Sequence, residues 1–297
     1  MTLGIFGRHK AAGRKLVVLT AYDLSGALVA AAGGVDAILV GDSLGMVVLG
    51  YPNTLPVTMQ EMSHHCAAVM RARPQVPVIA DLPYGSFHVS PQETVRDVLQ
   101  LVKRTGVNAV KVEGGRRRGP VISALLDAEI PVMGHLGLTP QSINRLGGYK
   151  VQGRGPAAAE ELAADAAFLA ACGCFALVLE CVPAGLARRI SADLPIPTIG
   201  IGAGAGCDGQ VLVYHDLLGL LSGPRPRFVK RYADLGSQAI AAVAAYAAEV
   251  RSGTFPALEH TYPDDAGAVD EEQGSPLAGA AAEAPGPYPD PANGPGD

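Results

Sequence analysis

The sequence lacks any uninterrupted run of about 18 or more apolar residues, the length that a membrane-spanning helix needs. Its N-terminal residues carry charges after a very short apolar piece, so we expect no secretory signal there. Lysine and arginine do not gather into a long basic stripe, and a nucleic-acid partner is therefore not expected. These absences predict a soluble protein that acts on small molecules and binds neither membranes nor nucleic acids.

Cysteine is scarce and shows no CxxC spacing. Five cysteines leave one thiol unpaired under any disulfide pairing, so neither a disulfide framework nor a zinc site is predicted. Thiols packed as small apolar side chains are typical of proteins in a reducing compartment. We therefore predict a cytoplasmic protein with five free cysteines: Cys66, Cys172, Cys174, Cys181 and Cys207.

Positive charge and large aliphatic side chains are both missing from the C-terminal residues. From Thr261 onward there are eight acidic residues and no lysine or arginine, whereas the whole chain has a net charge of −5, so the remaining body carries +3. Val269 and Leu277 are the only large aliphatics in this segment. Such a composition cannot bury enough surface to offset the entropy lost on ordering. We predict a disordered acidic tail over 261–297 and a single catalytic domain over 1–260.

Within residues 1–260, short apolar runs alternate with helical patterns such as Pro91–Arg104 and Pro156–Ala171, which begin at a proline as first turns often do. This alternation is typical of parallel strands buried under helices. A doubly wound open sheet fits it too, but eight runs in a body of this length favour an α/β fold of the (β/α)8 TIM-barrel type. The predicted strands are Leu16–Ala21, Ala37–Val40, Val76–Ala80, Ala109–Val112, Pro131–Gly134, Phe175–Leu179, Pro197–Ile201 and Leu217–Leu221.

Polar side chains lie at the ends of six of these runs. The carboxyl ends of parallel strands converge on one face, where ligands bind. One aspartate at such a position often caps the next helix, but six polar endings in register are hard to attribute to capping. These residues are Asp23, Asp42 with Ser43, Asp81, Lys111 with Glu113, His135 and Glu180.

Asp42 and Asp81 come from neighbouring strands and suit a magnesium site. Mg²⁺ prefers hard oxygen ligands, usually one or two carboxylates completed by water and substrate oxygens. Glu113, on the next strand, would bind the ion directly or through a water molecule. Asp23 is interpreted as a helix cap or hydrogen-bond acceptor.

Lys111 and Glu113 are two residues apart in one strand, so both point to the same side. An unpaired charge inside a barrel is very costly, which marks the pair as site residues. Glu180 follows the apolar run FALVL, and apolar walls favour a carboxylate that works as a general base near neutral pH. His135 is either a contact to substrate or a hydrogen-bonded core histidine.

The segment GIGAGAGCDGQ (200–210) is rich in glycine. Loops after late barrel strands often bind phosphate, which is one interpretation. The segment lacks the setting and the downstream acid of a dinucleotide fingerprint. Close packing of the backbone explains the glycines equally well.

Ten motifs follow one another along the chain: LTAYD, VGDSLGMVV, TLPVT, ADLPYGSF, VKVEGG, GHLGLTPQS, GGYKVQGR, LVLECVP, IGIGAG and CDGQVLV. In this order and spacing they resemble the ketopantoate hydroxymethyltransferase family from about Lys15 to His260. VGDSLG, GYKVQGR and GIGAG with DGQ are the most specific of them, and the arginine run in EGGRRRGP departs from the family pattern. We interpret Arg116–Arg118 as a solvated helix start or loop.

The resemblance implies that 3-methyl-2-oxobutanoate receives a one-carbon unit from 5,10-methylenetetrahydrofolate and becomes 2-dehydropantoate, in pantothenate biosynthesis. It implies that Mg²⁺ acts as a Lewis acid on the substrate carbonyl, and that an enolate attacks the methylene carbon of the folate. It also implies a homo-oligomer, commonly a decamer of two pentameric rings. The implied roles are Asp42, Asp81 and Glu113 at the metal, Asp42, Ser43, Asp81, Lys111 and His135 at the substrate, and Glu180 as the base.

Two other functions use the same pattern. Lyases and mutases of the phosphoenolpyruvate mutase and isocitrate lyase group also stabilise a metal-bound enolate, but the KKCGH-type loop of isocitrate lyases is missing from this sequence. A non-catalytic oxo-acid or folate binder would be expected to have lost Glu180 or a metal aspartate, and all are present. The sequence therefore favours the transferase.

Overall fold

A computed structural model describes residues 2–223 and 226–262 of the chain. Most of the predicted tail, from residue 263 onward, lies outside the described residues. The chain divides into two compact units, Met1–Ala242 and a second that begins at Val243. The predicted domain boundary at residue 260 stays a prediction.

Eight parallel strands form a closed barrel in the order of the sequence, with β8 paired to β1. The predicted (β/α)8 architecture is therefore confirmed. The strands are β1 Leu16–Thr20, β2 Ala37–Val40, β3 Val78–Asp81, β4 Ala109–Glu113, β5 Val132–Gly137, β6 Ala176–Glu180, β7 Thr198–Ile201 and β8 Gly209–Leu212.

Helices connect the strands and follow the last of them, with 3-10 turns at Arg116–Arg118, Pro140–Ser142 and Leu258–His260. None of the described helices is long and apolar enough to cross a membrane. The α-helices are α1 Gly4–Ala11, α2 Leu24–Ala32, α3 Leu44–Val47, α4 Met59–Arg71, α5 Pro91–Thr105, α6 Gly119–Asp127, α7 Ile143–Leu146, α8 Pro156–Cys172, α9 Ala184–Asp193, α10 Tyr214–Leu218 and α11 Leu235–Ser252.

The boundaries of α5 show why the sequence forms a helix there. The Ser90 hydroxyl accepts a hydrogen bond from the Glu93 backbone N–H, which satisfies one free donor of the first turn. Pro91 occupies the first turn, and Gly106 ends the helix in the left-handed conformation. This helix and α8 lie within one residue of their predicted spans.

Alternation along each strand separates two apolar cores. One set of side chains faces the helices, for example Val110 and Val112 of β4. The other set fills the barrel interior and includes Ala109 of the same strand. Because side chains alternate with a period of two, Lys111 and Glu113 share the interior face with Ala109.

The predicted eighth strand, Leu217–Leu221, is wrong. The strand is Gly209–Leu212, and Leu217 lies in α10. Gly209 explains the error, because glycine weakens a strand pattern unless a neighbouring backbone approaches closely. Here a Cβ on Gly209 would lie 2.5 Å from the Leu16 carbonyl oxygen of β1, so only glycine lets the barrel close at this point.

The second unit is described over residues 243–262. It contains the end of α11 and the turn that follows. The Tyr246 and Phe255 rings pack edge to face with centroids 5.5 Å apart, and the His260 ring lies 5.2 Å from that of Phe255.

Candidate active site

One cavity of about 660 Å³ lies at the carboxyl ends of the strands and is lined by every residue that the sequence predicted for the site. Five of these side chains lie at interior-facing strand positions above the apolar core, and the other two, Asp42 and Ser43, follow the end of β2. The seven residues are Asp42, Ser43, Asp81, Lys111, Glu113, His135 and Glu180.

Lys111 and Asp81 form a buried ion pair. They are register partners in β4 and β3, and Lys111 Nζ donates to Asp81 Oδ1 over 2.5 Å. Burial alone would lower the pKa of Lys111, but the carboxylates of Asp81, Glu113 and Asp42 outweigh it and raise that pKa above its usual value. The lysine is therefore a fixed positive charge within the cavity.

Asp42 follows β2 and is buried beside Asp81. Its backbone N–H donates to Asp81 Oδ2 over 3.3 Å. Burial raises the pKa of the Asp42 carboxyl well above its usual value, and the Asp81 and Glu113 carboxylates add to that effect. The site thus concentrates more negative charge than Lys111 alone compensates.

His135 lies between two glutamates. Its Nδ1 is 3.4 Å from Glu113 Oε1, and its Nε2 is 3.3 Å from Glu180 Oε2. Neither contact is aligned as a hydrogen bond, and both His135 Nε2 and Glu113 Oε1 are buried without a hydrogen-bond partner. Burial and Lys111 lower the pKa of His135, but Glu113 and Glu180 outweigh them and raise it to about 9. The histidine lies at the cavity between two carboxylates, and its role as a contact to substrate stays a prediction.

Glu180 is the last residue of β6, and its side chain is 17% exposed to the cavity. The sequence predicts only apolar surroundings for the Glu180 carboxylate. The structure differs in one contact, because the His135 imidazole lies 3.3 Å from that carboxylate. The sequence could not show this contact, since it depends on the alignment of β6 with β5.

Ser43 is held by a residue that the sequence analysis missed. The hydroxyl groups of Tyr22 and Ser43 are 2.8 Å apart. Burial raises the pKa of the Tyr22 phenol, so it remains a neutral hydrogen-bonding group. The Tyr22 backbone carbonyl oxygen is 2.7 Å from His65 Nδ1. Tyr22 lies in the motif LTAYD, in which only the aspartate is a charged residue at the predicted strand end.

Asp23 caps α2 and takes no part in the cavity. Its Oδ1 accepts from the Gly26 backbone N–H over 2.7 Å and from the Ser25 hydroxyl over 3.0 Å. The interpretation of Asp23 as a helix cap is confirmed.

Gln141 is a second residue that the sequence analysis missed. It is buried, and its side-chain Nε2 donates to Asp42 Oδ2 over 2.9 Å. It lies in the turn after β5, where no periodicity marks it, and only its place within GHLGLTPQS pointed to it.

No group of three or more histidine, cysteine, aspartate or glutamate side chains among residues 2–223 and 226–262 is arranged to hold a metal ion. In the structure Asp81 pairs with Lys111, and Glu113 Oε2 accepts from the Gln141 backbone N–H. The assignment of Asp42, Asp81 and Glu113 as metal ligands stays a prediction.

Close packing accounts for the glycine-rich segment. A Cβ on Gly204 would lie 2.6 Å from the Cβ of Ala184, and its φ of +79° favours glycine. The Gly204 carbonyl oxygen also accepts from Gln210 Nε2. The segment therefore packs against α9 and is hydrogen-bonded within itself through the Gln210 side chain.

The arginine run forms the 3-10 turn before α6, as predicted for a solvated helix start. Arg116 Nε donates to Asp165 Oδ1 over 2.6 Å. The Arg118 guanidinium lies 5.0 Å from the centre of the Phe87 ring.

Comparison with known proteins gives a consistent family. The model of the family described as ketopantoate hydroxymethyltransferase matches residues 1–258. The 3-methyl-2-oxobutanoate hydroxymethyltransferase of Moorella thermoacetica is 58% identical over 262 residues, 88% of this chain and 97% of the relative. The protein of the same name from Heliobacterium modesticaldum is 53% identical over 253 residues, 85% of this chain and 92% of the relative.

Solved structures share the fold at low sequence identity. The phosphoenolpyruvate phosphomutase of Streptomyces platensis subsp. rosaceus has a TM-score of 0.56 at 18% identity, covering 89% of this chain and 92% of its own. A 2,3-dimethylmalate lyase, described as a phosphoenolpyruvate mutase/isocitrate lyase superfamily member, has a TM-score of 0.55 at 19% identity, covering 88% and 92%. These likenesses show the barrel architecture.

Proposed function

The chain belongs to the ketopantoate hydroxymethyltransferase family and is a transferase, and we propose that it carries out the whole reaction that this membership implies. A hydroxymethyl group would pass from 5,10-methylenetetrahydrofolate to 3-methyl-2-oxobutanoate and give 2-dehydropantoate, on the route to pantothenate. Mg²⁺ would be the resident metal.

The observation that carries this proposal is the arrangement of Lys111 and Glu180 in one cavity. A 2-oxo acid brings a carboxylate and a keto oxygen, which a buried cation stabilises. Its C3 hydrogen needs a base, and Glu180 has no lysine partner among the described ion pairs and is 17% exposed, whereas Asp42, Asp81 and Glu113 are buried. The two residues together supply both requirements.

The charges of the cavity suit a divalent cation. In the buried part of the cavity three carboxylates, Asp42, Asp81 and Glu113, face two basic side chains, Lys111 and His135. The more exposed part is lined by Glu180, Asp216, Lys150 and Arg227. Buried excess negative charge is costly unless a cation balances it. Mg²⁺ needs only one or two protein carboxylates, so Asp42 and Asp81 suffice although the described part of the chain contains no larger cluster arranged for a metal.

When bound, the metal would supply Lewis acidity to the keto group of the substrate. Lys111, held by Asp81, would neutralise the substrate carboxylate or the negative charge that develops on the keto oxygen. Ser43, held by Tyr22, would donate a hydrogen bond to the substrate.

Glu180 would take the proton from C3 of the substrate. The C3–H bond breaks, the proton moves to a Glu180 oxygen, and the electron pair passes into the enolate. The His135 ring, whose pKa is raised to about 9, lies 3.3 Å from Glu180 Oε2 and would attract that carboxylate electrostatically. Lys111 would thus stabilise the substrate that loses the proton, and His135 would interact with the base that receives it.

The carbon–carbon bond would form between C3 and the methylene carbon of the donor. Both carbon–nitrogen bonds of that methylene break, and a water molecule supplies the oxygen of the new hydroxyl group. The two nitrogens leave as tetrahydrofolate after taking up the proton from Glu180 and one proton from the water. One water is therefore consumed in each turnover.

The lyase or mutase alternative receives no support beyond the barrel itself. The solved structures of that group are less than 20% identical to this chain, and shared architecture does not imply shared chemistry. The family model and the curated relatives favour the transferase.

We propose the cytoplasm as the compartment, because all five cysteines are free thiols. We also propose a homo-oligomer, with a decamer as the form that the family resemblance implies. Apolar side chains that are about half exposed, namely Val17 (50%), Leu28 (47%) and Val29 (52%), support a contact between copies.

The test is product formation by the purified protein. 3-Methyl-2-oxobutanoate, 5,10-methylenetetrahydrofolate and Mg²⁺ are mixed with the enzyme, and 2-dehydropantoate is followed by NMR and mass spectrometry. We expect product only when all three are present, with ¹⁸O from labelled water in the new hydroxyl group. Absence of product from a folded protein with all three components would overturn the proposal.

A further inference from the structure

Gln141 connects carboxylates that come from different strands. Its side-chain Nε2 donates to Asp42 Oδ2 over 2.9 Å and to the Leu82 carbonyl oxygen over 2.8 Å. Its backbone N–H donates to Glu113 Oε2 over 3.1 Å. One residue in the turn after β5 therefore contacts two of the three predicted metal carboxylates.

The orientation of the Gln141 amide follows from its partners. Asp42 Oδ2 and the Leu82 carbonyl oxygen both accept hydrogen bonds, so the NH₂ group must face them. The oxygen Oε1 then lies on the other edge of the amide. It is buried and has no hydrogen-bond partner among the described residues.

A buried acceptor without a partner costs about 1–3 kcal/mol, which a structural role alone does not explain. A fully apolar side chain of similar size would avoid this cost but would leave Asp42 Oδ2 and the Leu82 carbonyl oxygen without their donor. The unpaired oxygen and the two contacts with site carboxylates together point to a role in the site.

We infer that Gln141 is a positioning residue that holds Asp42 and Glu113 in the arrangement that binds the metal. The inference rests on the proposed function, because it needs a cation at Asp42. Nε2 fixes one oxygen of Asp42 and leaves the other for the ion, while the backbone N–H limits the freedom of Glu113. Hydrogen-bond donors that contact a ligand carboxylate, and not the metal itself, orient that ligand in this way.

The test compares Gln141→Met with the wild type. Methionine has the length and volume of glutamine but makes no such hydrogen bonds, and the backbone contact to Glu113 remains. Mg²⁺ and Mn²⁺ binding is measured by isothermal titration calorimetry without substrate or folate. Loss of an outer hydrogen bond to a metal ligand typically weakens binding about 10–100-fold, and we expect a loss in that range.

Gln152→Met is the matched control. Gln152 lies in the same connection between β5 and β6, but its side-chain Nε2 donates to the Lys150 carbonyl oxygen outside the carboxylate cluster. We expect its metal dissociation constants to stay within twofold of the wild type. Circular dichroism and Tm establish that each variant is folded. If Gln141→Met does not fold, Gln141→Asn, which keeps the amide but is too short to reach Asp42, takes its place with the same expected loss.

Metal dissociation constants for Gln141→Met within twofold of the wild type would overturn the inference, even if the wild type forms product. A wild type that binds metal but forms no product would overturn the proposed function, while a 10–100-fold loss in the variant would still support the role of Gln141. A wild type that binds neither Mg²⁺ nor Mn²⁺ would overturn both.

Discussion

Lys111 Nζ lies 2.5 Å from Asp81 Oδ1, and the two side chains are only 5% and 4% exposed. Breaking a buried pair leaves one charge uncompensated and costs about 3–5 kcal/mol. We expect Lys111→Met to lose activity and to lower the free energy of unfolding by that amount, measured by urea denaturation. The double variant Lys111→Met with Asp81→Asn should regain much of the stability but none of the activity. Equal activity in the double variant and the wild type would contradict a role for the pair in catalysis.

Glu180→Gln should abolish removal of the C3 proton, because an amide cannot accept it. Loss of a general base typically lowers the rate about 10²–10⁴-fold. The measurement is deuterium exchange at C3 of 3-methyl-2-oxobutanoate in D₂O with Mg²⁺ and without folate. Glu160→Gln, at a surface pair with Arg189, is the control and should exchange at the wild-type rate. Deuterium exchange at the wild-type rate in Glu180→Gln would show that Glu180 is not the base that removes the C3 proton.

Asp42→Asn should weaken Mg²⁺ binding at least tenfold, because a neutral amide oxygen is a poorer ligand for a hard cation than a carboxylate. Isothermal titration calorimetry measures the change. Asp23→Asn is the control, since asparagine caps a helix as well as aspartate does. If the two variants bound Mg²⁺ equally well, Asp42 would not be a metal ligand.

Gly209→Ala should destabilise the barrel by about 1–3 kcal/mol, the usual cost of overpacking. The added Cβ would meet the Leu16 backbone oxygen at 2.5 Å and the Ile199 side chain at 2.8 Å. Thermal unfolding followed by circular dichroism would show a lower Tm. Gly7→Ala in α1 meets nothing within 4 Å and should leave Tm unchanged or raise it. A wild-type Tm for Gly209→Ala would show that β8 can move away from β1 at no cost.

Cys181, beside the proposed base, should react slowly with iodoacetamide near neutral pH. Burial and then the Glu180 charge raise the pKa of its thiol to about 11, whereas a free cysteine has a pKa of about 8.5. Since the thiolate is the reactive form, the labelling rate of the native protein should still rise between pH 9 and 10. Mass spectrometry of labelled peptides measures the rate, and the urea-unfolded protein should level off near pH 9. A plateau below pH 9 in the native protein would contradict the raised pKa.

Seven of the eight strands were predictable because their apolar runs are bounded by clear helical patterns. A glycine-rich connection joins the seventh strand to the eighth. The eighth strand begins at Gly209, which weakens its strand pattern. A glycine is required there because of a close contact with Leu16, almost two hundred residues away in the sequence. A pattern within one segment cannot show a steric requirement that another segment imposes.

The acids and the lysine of the site were predictable because strand ends in a parallel barrel meet at one mouth. The supporting contacts were not. Gln141 reaches Asp42 only through the path of the loop after β5, and Tyr22 reaches Ser43 only because β1 and β2 are neighbours. The pairing of His135 with Glu180 likewise depends on how β5 and β6 are aligned.

The alignment of β3, β4 and β5 has a consequence for recombination between barrels. Asp81 is the register partner of Lys111, and Glu113 that of His135. A shift of one residue in β4 would turn Lys111 and Glu113 toward the helices while leaving a strand of the same composition. A chimaera that exchanges β4 alone would therefore keep the lysine and the glutamate on the interior face only if the donor strand pairs with β3 and β5 in the same register.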